Sequence, residues 1–254
     1  MDKLFNVNGR IVLITGSSGG IGLALAQGLA ERGAKVVLNG RRTDVVQDEC
    51  ARLREMGLDA EGAAFDVTNP KAVFEAVERI ERDIGAIDIL FNNAGVQHRQ
   101  PLEDFDHERW EELFKTNVTS VFYVSQAVAC HMINRGRGRI INIASVQSEL
   151  ARPGIAPYTA TKGAIRNLTR GMCTDWARHG LQINAIAPGY FRTPLNAALV
   201  ADADFSGWLT KRTPAGRWGD VNELVGAAVF LASDAASFVN GQTIFVDGGI
   251  TASL

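Results

Sequence analysis

Seven short apolar stretches recur along the chain, and between them the apolar positions fall three and four apart. In residues 10–15, Ile11, Val12, Leu13 and Ile14 follow one another with no helical period. Such a run predicts a strand buried on both faces, the signature of a parallel sheet. Residues 35–39, 61–65, 87–91, 139–144, 181–187 and 243–246 predict six more strands. A helical period through Leu25, Leu29 and Ala30 follows the first strand, and residues 43–56 predict a second helix. Asp44 and Gln47 there have the spacing of a loose capping box. Asn69 and Pro70 open a third helix, with Pro suited to the first position, and Val73, Val77 and Ile80 form its inner face. Residues 106–135 carry one long helical pattern, 157–179 another and 221–232 a last one; a helical piece is expected within 195–212.

Strand and helix alternate throughout, which predicts βαβ units: an α/β domain with a doubly wound parallel sheet and helices on both faces. Residues 1–254 are expected to form one domain, with the irregular residues 190–219 as a lid and Trp208 and Trp218 as packing residues. In such sheets ligands lie beyond the C-terminal ends of the strands. The unusual residues of this chain do follow strands. Gly16, Gly20 and Gly22 follow the first, Arg41 and Arg42 the second, and Asp66 the third. Asn92, Asn93 and Gly95 follow the fourth, Ser145 the fifth, and Pro188 and Gly189 the sixth.

A glycine loop between a strand and a helix lets backbone approach a pyrophosphate and aims N–H groups at it. Its first gap is longer here than in the usual dinucleotide fingerprint. An acid is expected about 20 residues further on to take the 2′-hydroxyl of NAD. The chain has Asn39 and Gly40 there, then two arginines, whose planar forks suit a 2′-phosphate. NADP is therefore expected rather than NAD. Asp44 is read as a helix cap, not as the missing acid. Asn117 lies mid-helix among apolar residues, a poor place for Asn unless its amide has partners. Tyr158 and Lys162 stand four apart on one helix face. An adjacent ammonium favours phenolate, so the Tyr158 pKa is expected below its reference of about 10.

Net charge is −2 and no Lys/Arg-rich run exists, which leaves nucleic acid and anionic membrane as poor partners. No apolar run approaches the ~18–20 residues that span a bilayer. The first residues lack the basic-then-apolar order of a signal peptide. Cys50, Cys130 and Cys173 are three and widely spaced; neither a disulfide framework nor a metal site is expected, and a cytoplasmic setting fits best.

Thr15, Gly16, Gly20, Gly22, Asn92 to Gly95, Asn117, Ser145, Tyr158, Lys162, Pro188 and Gly189 stand in one order on one βαβ frame. In this the chain resembles the short-chain dehydrogenase/reductase family over nearly its whole length. The resemblance implies a Rossmann-like seven-stranded sheet and assembly as a homotetramer through the long helices. It implies Tyr158 as general acid/base, Lys162 lowering its pKa and bonding the nicotinamide ribose, Ser145 on the substrate oxygen, and Asn117 holding a water toward Lys162. It further implies cofactor contacts from Gly16, Ser18, Gly20, Ile21 and Gly22, from Arg41, Arg42, Asp66 and Val67, from Asn93 and Gly95, and from Pro188, Gly189 and Thr193.

Longer segments, 95–102, 145–150, 170–173 and 211–220, resemble the branch of that family acting on gluconate and 5-ketogluconate. A sugar acid needs a cation for its carboxylate and polar partners for its hydroxyls. Arg99 and His98 follow the fourth-strand turn, and Gln147, Ser148, Glu149 and Arg152 follow Ser145. Arg99, Ser145, Gln147 and Tyr158 are the expected substrate residues. Two other readings stay open: a reductase of another keto-sugar acid or a 3-oxoacyl thioester, and a non-catalytic NADP-binding regulator.

Overall fold

The computed structural model describes residues 3–253. Seven strands pair in the order β3-β2-β1-β4-β5-β6-β7, all parallel. They are β1 (Ile11–Ile14), β2 (Lys35–Gly40), β3 (Ala60–Ala64), β4 (Ile87–Asn92), β5 (Gly138–Ile143), β6 (Leu181–Pro188) and β7 (Thr243–Val246). The order reverses between β1 and β4, which opens a crevice at their C-terminal ends.

Successive strand side chains face opposite sides of the sheet, and two buried layers follow. Val12, Ile14, Phe91 and Ile186 pack with α1 (Gly20–Ala30), α2 (Thr43–Glu55) and a helix, Val225–Ala232, near the C-terminus. Leu13, Val37, Leu90 and Ile140 face the other way, onto α3 (Pro70–Asp83) and two long helices described next. In α3 the Asn69 side chain accepts from Ala72 N, with Pro70 in the first turn, as the sequence predicts.

The pattern over 106–135 resolves into α4 (His107–Phe114), a π-helical segment (Lys115–Thr119) and α5 (Ser120–Arg135). In that segment Ser120 N–H reaches back five residues to Lys115 O. Then α6 (Ala156–Trp176) carries the Tyr/Lys pair. The irregular stretch holds α7 (Ala197–Ala201) and α8 (Ala203–Arg212), and Val225–Ala232 is α9. Trp218 is buried beside Val146, Leu209 and Ile250, and its Nε1 donates to Ser206 Oγ. Trp208 is 47% exposed and packs against Phe205, their ring centres 5.4 Å apart.

One local expectation fails. The α2 N-cap is Arg42, without any side-chain cap, so Asp44 and Gln47 form no capping box. Asp44 lies inside the first turn, where a carboxylate still favours the positive end of the helix dipole.

Candidate active site

A cleft of about 560 Å³ runs along the C-terminal ends of the strands, within the range of ligand sites. On its β1–β2 side the loop after β1 turns at Gly16, whose φ is 61°. A Cβ there would sit 2.8 Å from Ala94 Cα, so this position needs glycine for both its conformation and its closeness. Ser18, Gly20 and Ile21 line the cleft. Gly22 does not; a Cβ there would strike Asn93 Nδ2 and Gly16 O, so it is a packing glycine between helix and loop.

The loop is braced by polar groups. Thr15 Oγ1 accepts from Asn93 N and Ala94 N, and Asn93 Nδ2 donates to both Thr15 O and Gly16 O at 2.9 Å. Asn93 and Gly95 line the cleft, and the Asn93 amide also holds the glycine turn in shape. Asn39 is buried and fully used: Oδ1 accepts from Gly16 N, and Nδ2 donates to Ala63 O and Phe65 O. The end of β2 therefore offers no acid. Arg41 lines the cleft, whereas Arg42 at the exposed α2 N-cap does not. Asp66 and Val67 line it too; Asp66 Oδ1 accepts from Thr68 N and Oγ1, a tight turn after β3.

Across the crevice stand Ser145, just past β5, and Tyr158 and Lys162 on α6. The Ser145 side chain stands beside the Tyr158 phenol and favours its ionised form. Lys162 is 5% exposed, and its Nζ donates to Ile143 O at 2.7 Å. That Nζ lies 5.6 Å from the centre of the Tyr158 ring. The expected drop in the Tyr158 pKa is not found. Burial pushes the phenol up to about 12, and the Ser145 side chain pulls against that. Tyr158 still has partial exposure to the open cleft. Burial lowers the Lys162 ammonium to about 8. Four-residue spacing stacks the pair, but desolvation sets both shifts, and the ammonium is drawn to the end of β5.

Asn117 is buried outside the cleft lining. Its Oδ1 accepts from Val96 N, and its Nδ2 donates to Val96 O and Thr161 Oγ1. The side chain thus ties the loop after β4 to α6.

Pro188, Gly189 and Thr193 line the cleft where β6 ends. Gly189 N–H donates to Val246 O, and a Cβ there would sit 2.7 Å from Asp247 Cα. Thr193 accepts from Asn196 N at the start of a short turn.

Arg99 and Gln147 are in the lining. Gln147 Nε2 donates to Tyr190 Oη at 3.3 Å, while its buried Oε1 has no partner. Tyr190 and Arg152 also line the cleft. Tyr190 had no local signal in the sequence. Arg152 had only its closeness to Ser145.

A family model described as Enoyl-(Acyl carrier protein) reductase matches residues 16–251. With this fold, this strand-end cleft and the relatives below, the chain belongs to the short-chain dehydrogenase/reductase family. It is 63% identical to the gluconate 5-dehydrogenase of Gluconobacter oxydans (strain 621H), over 99% of this chain and 98% of that protein. It is 51% identical to the 5-keto-D-gluconate 5-reductase of Escherichia coli (strain K12), over 98% of each. A crystal structure of a gluconate 5-dehydrogenase from Burkholderia cenocepacia J2315, in complex with NADP and tartrate, superposes with a TM-score of 0.98 at 59% identity, covering 99% of both chains.

Proposed function

We propose that this protein is an NADP-dependent oxidoreductase that interconverts D-gluconate and 5-keto-D-gluconate. The observation that carries the reading is a single cleft with Arg41 on one side of the crevice, Arg99 on the other, and the Ser145–Tyr158 pair between strands and helix. The names of the relatives support the same reaction, and NADP and tartrate (a short hydroxy-dicarboxylic acid) bound to one of them suit the same two classes of ligand.

The residues fit the cofactor. Gly16 leaves a cradle that a Cβ would fill, α1 directs its first N–H groups to that side, and Arg41 supplies a cation where NAD enzymes use an acid. When bound, the nicotinamide supplies or accepts the hydride. The chain does the rest. Tyr158 Oη takes the proton from the C5 hydroxyl in oxidation and returns it to the carbonyl oxygen in reduction. Ser145 Oγ donates to the same oxygen, stabilising its developing charge. Lys162, lowered to about 8 by burial, is close to the pH at which a proton can be passed on.

Asn117 acts here as a brace between the loop after β4 and α6. Residues 190–219 serve as a lid on one catalytic domain. Assembly as a homotetramer in the cytoplasm completes the reading. It is supported by the family likeness and by Trp110 and Phe122, 39% and 43% exposed on α4 and α5. No helix of the described residues is long and apolar enough to cross a membrane.

The test is Tyr158→Phe, which should cut turnover at least ~10²-fold, the low end for losing an acid–base group. Near-normal turnover of 5-ketogluconate by that variant contradicts the mechanism.

A further inference from the structure

Two arginines just outside this cleft are already paired. Arg166 pairs with Glu149, the acid in the same loop as Arg152. Arg109 pairs with Glu112, the acid on the cleft wall. Among the described residues, neither Arg99 nor Arg152 is in an ion pair. Arg99 makes one long contact, Nη2 to Asn196 Oδ1 at 3.4 Å. Arg152 is half-buried, its Nε is buried without a partner, and its Cζ lies 5.3 Å from the Phe205 ring centre. The two guanidiniums share the cleft and act on each other: burial first, then the charge of Arg152, holds Arg99 below its ordinary range. Two partly desolvated cations without a counter-ion are costly, and an anion between them removes that cost.

We propose that Arg152 joins Arg99 in a two-guanidinium clamp on the substrate carboxylate, with Phe205 of α8 stacked on Arg152 so that the 190–219 segment closes over the occupied clamp. This rests on the sugar-acid reading above and assigns the residue that sets its charge specificity. The position excludes the cofactor's 2′-phosphate as the anion. Arg41 follows β2, on the far side of the β1/β4 crevice, whereas Arg99 and Arg152 follow β4 and β5, beside Ser145 and Tyr158. Gln147 supports a polyhydroxy ligand, since its buried, unpartnered Oε1 is an acceptor waiting for a hydroxyl.

The test is calorimetric titration of the NADPH-loaded protein with D-gluconate and with its neutral analogue D-gluconamide, alongside NADP⁺-dependent oxidation of both. The wild type should bind the acid at least ~10-fold more tightly than the amide, as charge-assisted hydrogen bonds require. Arg152→Gln should reduce that preference ~10-fold or more, and Arg152→Lys should restore part of it. Equal affinity of the wild type for acid and amide, binding of neither, or a parallel loss of both in Arg152→Gln overturns the clamp. Preferential binding of the acid without oxidation of either compound leaves the clamp standing and removes the gluconate reaction instead.

Discussion

The ammonium of Lys162 is buried and donates one hydrogen bond, to Ile143 O. Its pKa falls from 10.5 to about 8 on folding. Between those values the unfolded chain holds a proton that the folded chain has released, so stability rises with pH across that window. Below pH 8 both states are protonated and the burial penalty is constant. Tyr158 acts oppositely: its pKa rises from 10.0 to about 12, so its contribution falls above pH 10. Lys162→Met should therefore stabilise the cofactor-free protein at pH 7, on the order of 1–3 kcal/mol, as apolar replacements of buried charges do. Thermal melting should show the gain shrinking from pH 8 to 10 while activity is lost. An unchanged or lowered Tm at pH 7 contradicts the account. Arg41 and Arg42 also separate at this scale. Arg41→Ala should cut the preference for NADP over NAD about 10–100-fold, by loss of charged hydrogen bonds, and Arg42→Ala should change it much less. Equal effects in nucleotide titrations would place Arg42 at the phosphate as well. The types of these residues were legible in the sequence. The direction of the Tyr158 shift was not, because burial belongs to the packed molecule and not to the i, i+4 spacing.

Elements place these residues, and buried polar groups fix how the elements meet. Asn92 Nδ2 donates to Ser125 Oγ on α5 and to Asn142 Oδ1 on β5, and Asn142 Nδ2 donates to Thr169 Oγ1 on α6. This chain ties β4 and β5 to both long helices beneath the catalytic end. Asn142→Leu leaves an Asn92 donor without its partner and should cost about 1–3 kcal/mol. For a chain of this size that is roughly 2–4 °C of Tm per kcal/mol. A Tm within one degree of wild type would show that the network is dispensable. Most strands were legible because they are apolar runs with polar or glycine residues at their ends, whereas β3 carries Glu61 and Gly62 inside it. The π-helical break around Asn117 was not, since apolar periodicity continues through it. What signals the break is the tertiary bond of the Asn117 amide to Val96. The capping box at Asp44 fails because the helix starts two residues earlier than that spacing requires.

For the molecule as a whole, the reversal of strand order between β1 and β4 decides what the cleft can do. It sets Arg41 and the glycine loop on one side and Ser145, Tyr158, Arg99 and Arg152 on the other. The order of motifs along the chain was enough to expect this arrangement. The unpaired state of Arg152 was not legible, because it depends on Glu149 being taken by Arg166. The central claim is that this frame brings a nicotinamide and a sugar-acid carbon to one phenol. NADPH oxidation, followed optically, tests it most directly when 5-keto-D-gluconate is set against a panel of other keto acids, uncharged keto-sugars and a 3-oxoacyl thioester. The account predicts the highest kcat/KM for 5-keto-D-gluconate. A thioester or uncharged ketose used as well as or better than 5-keto-D-gluconate would contradict it.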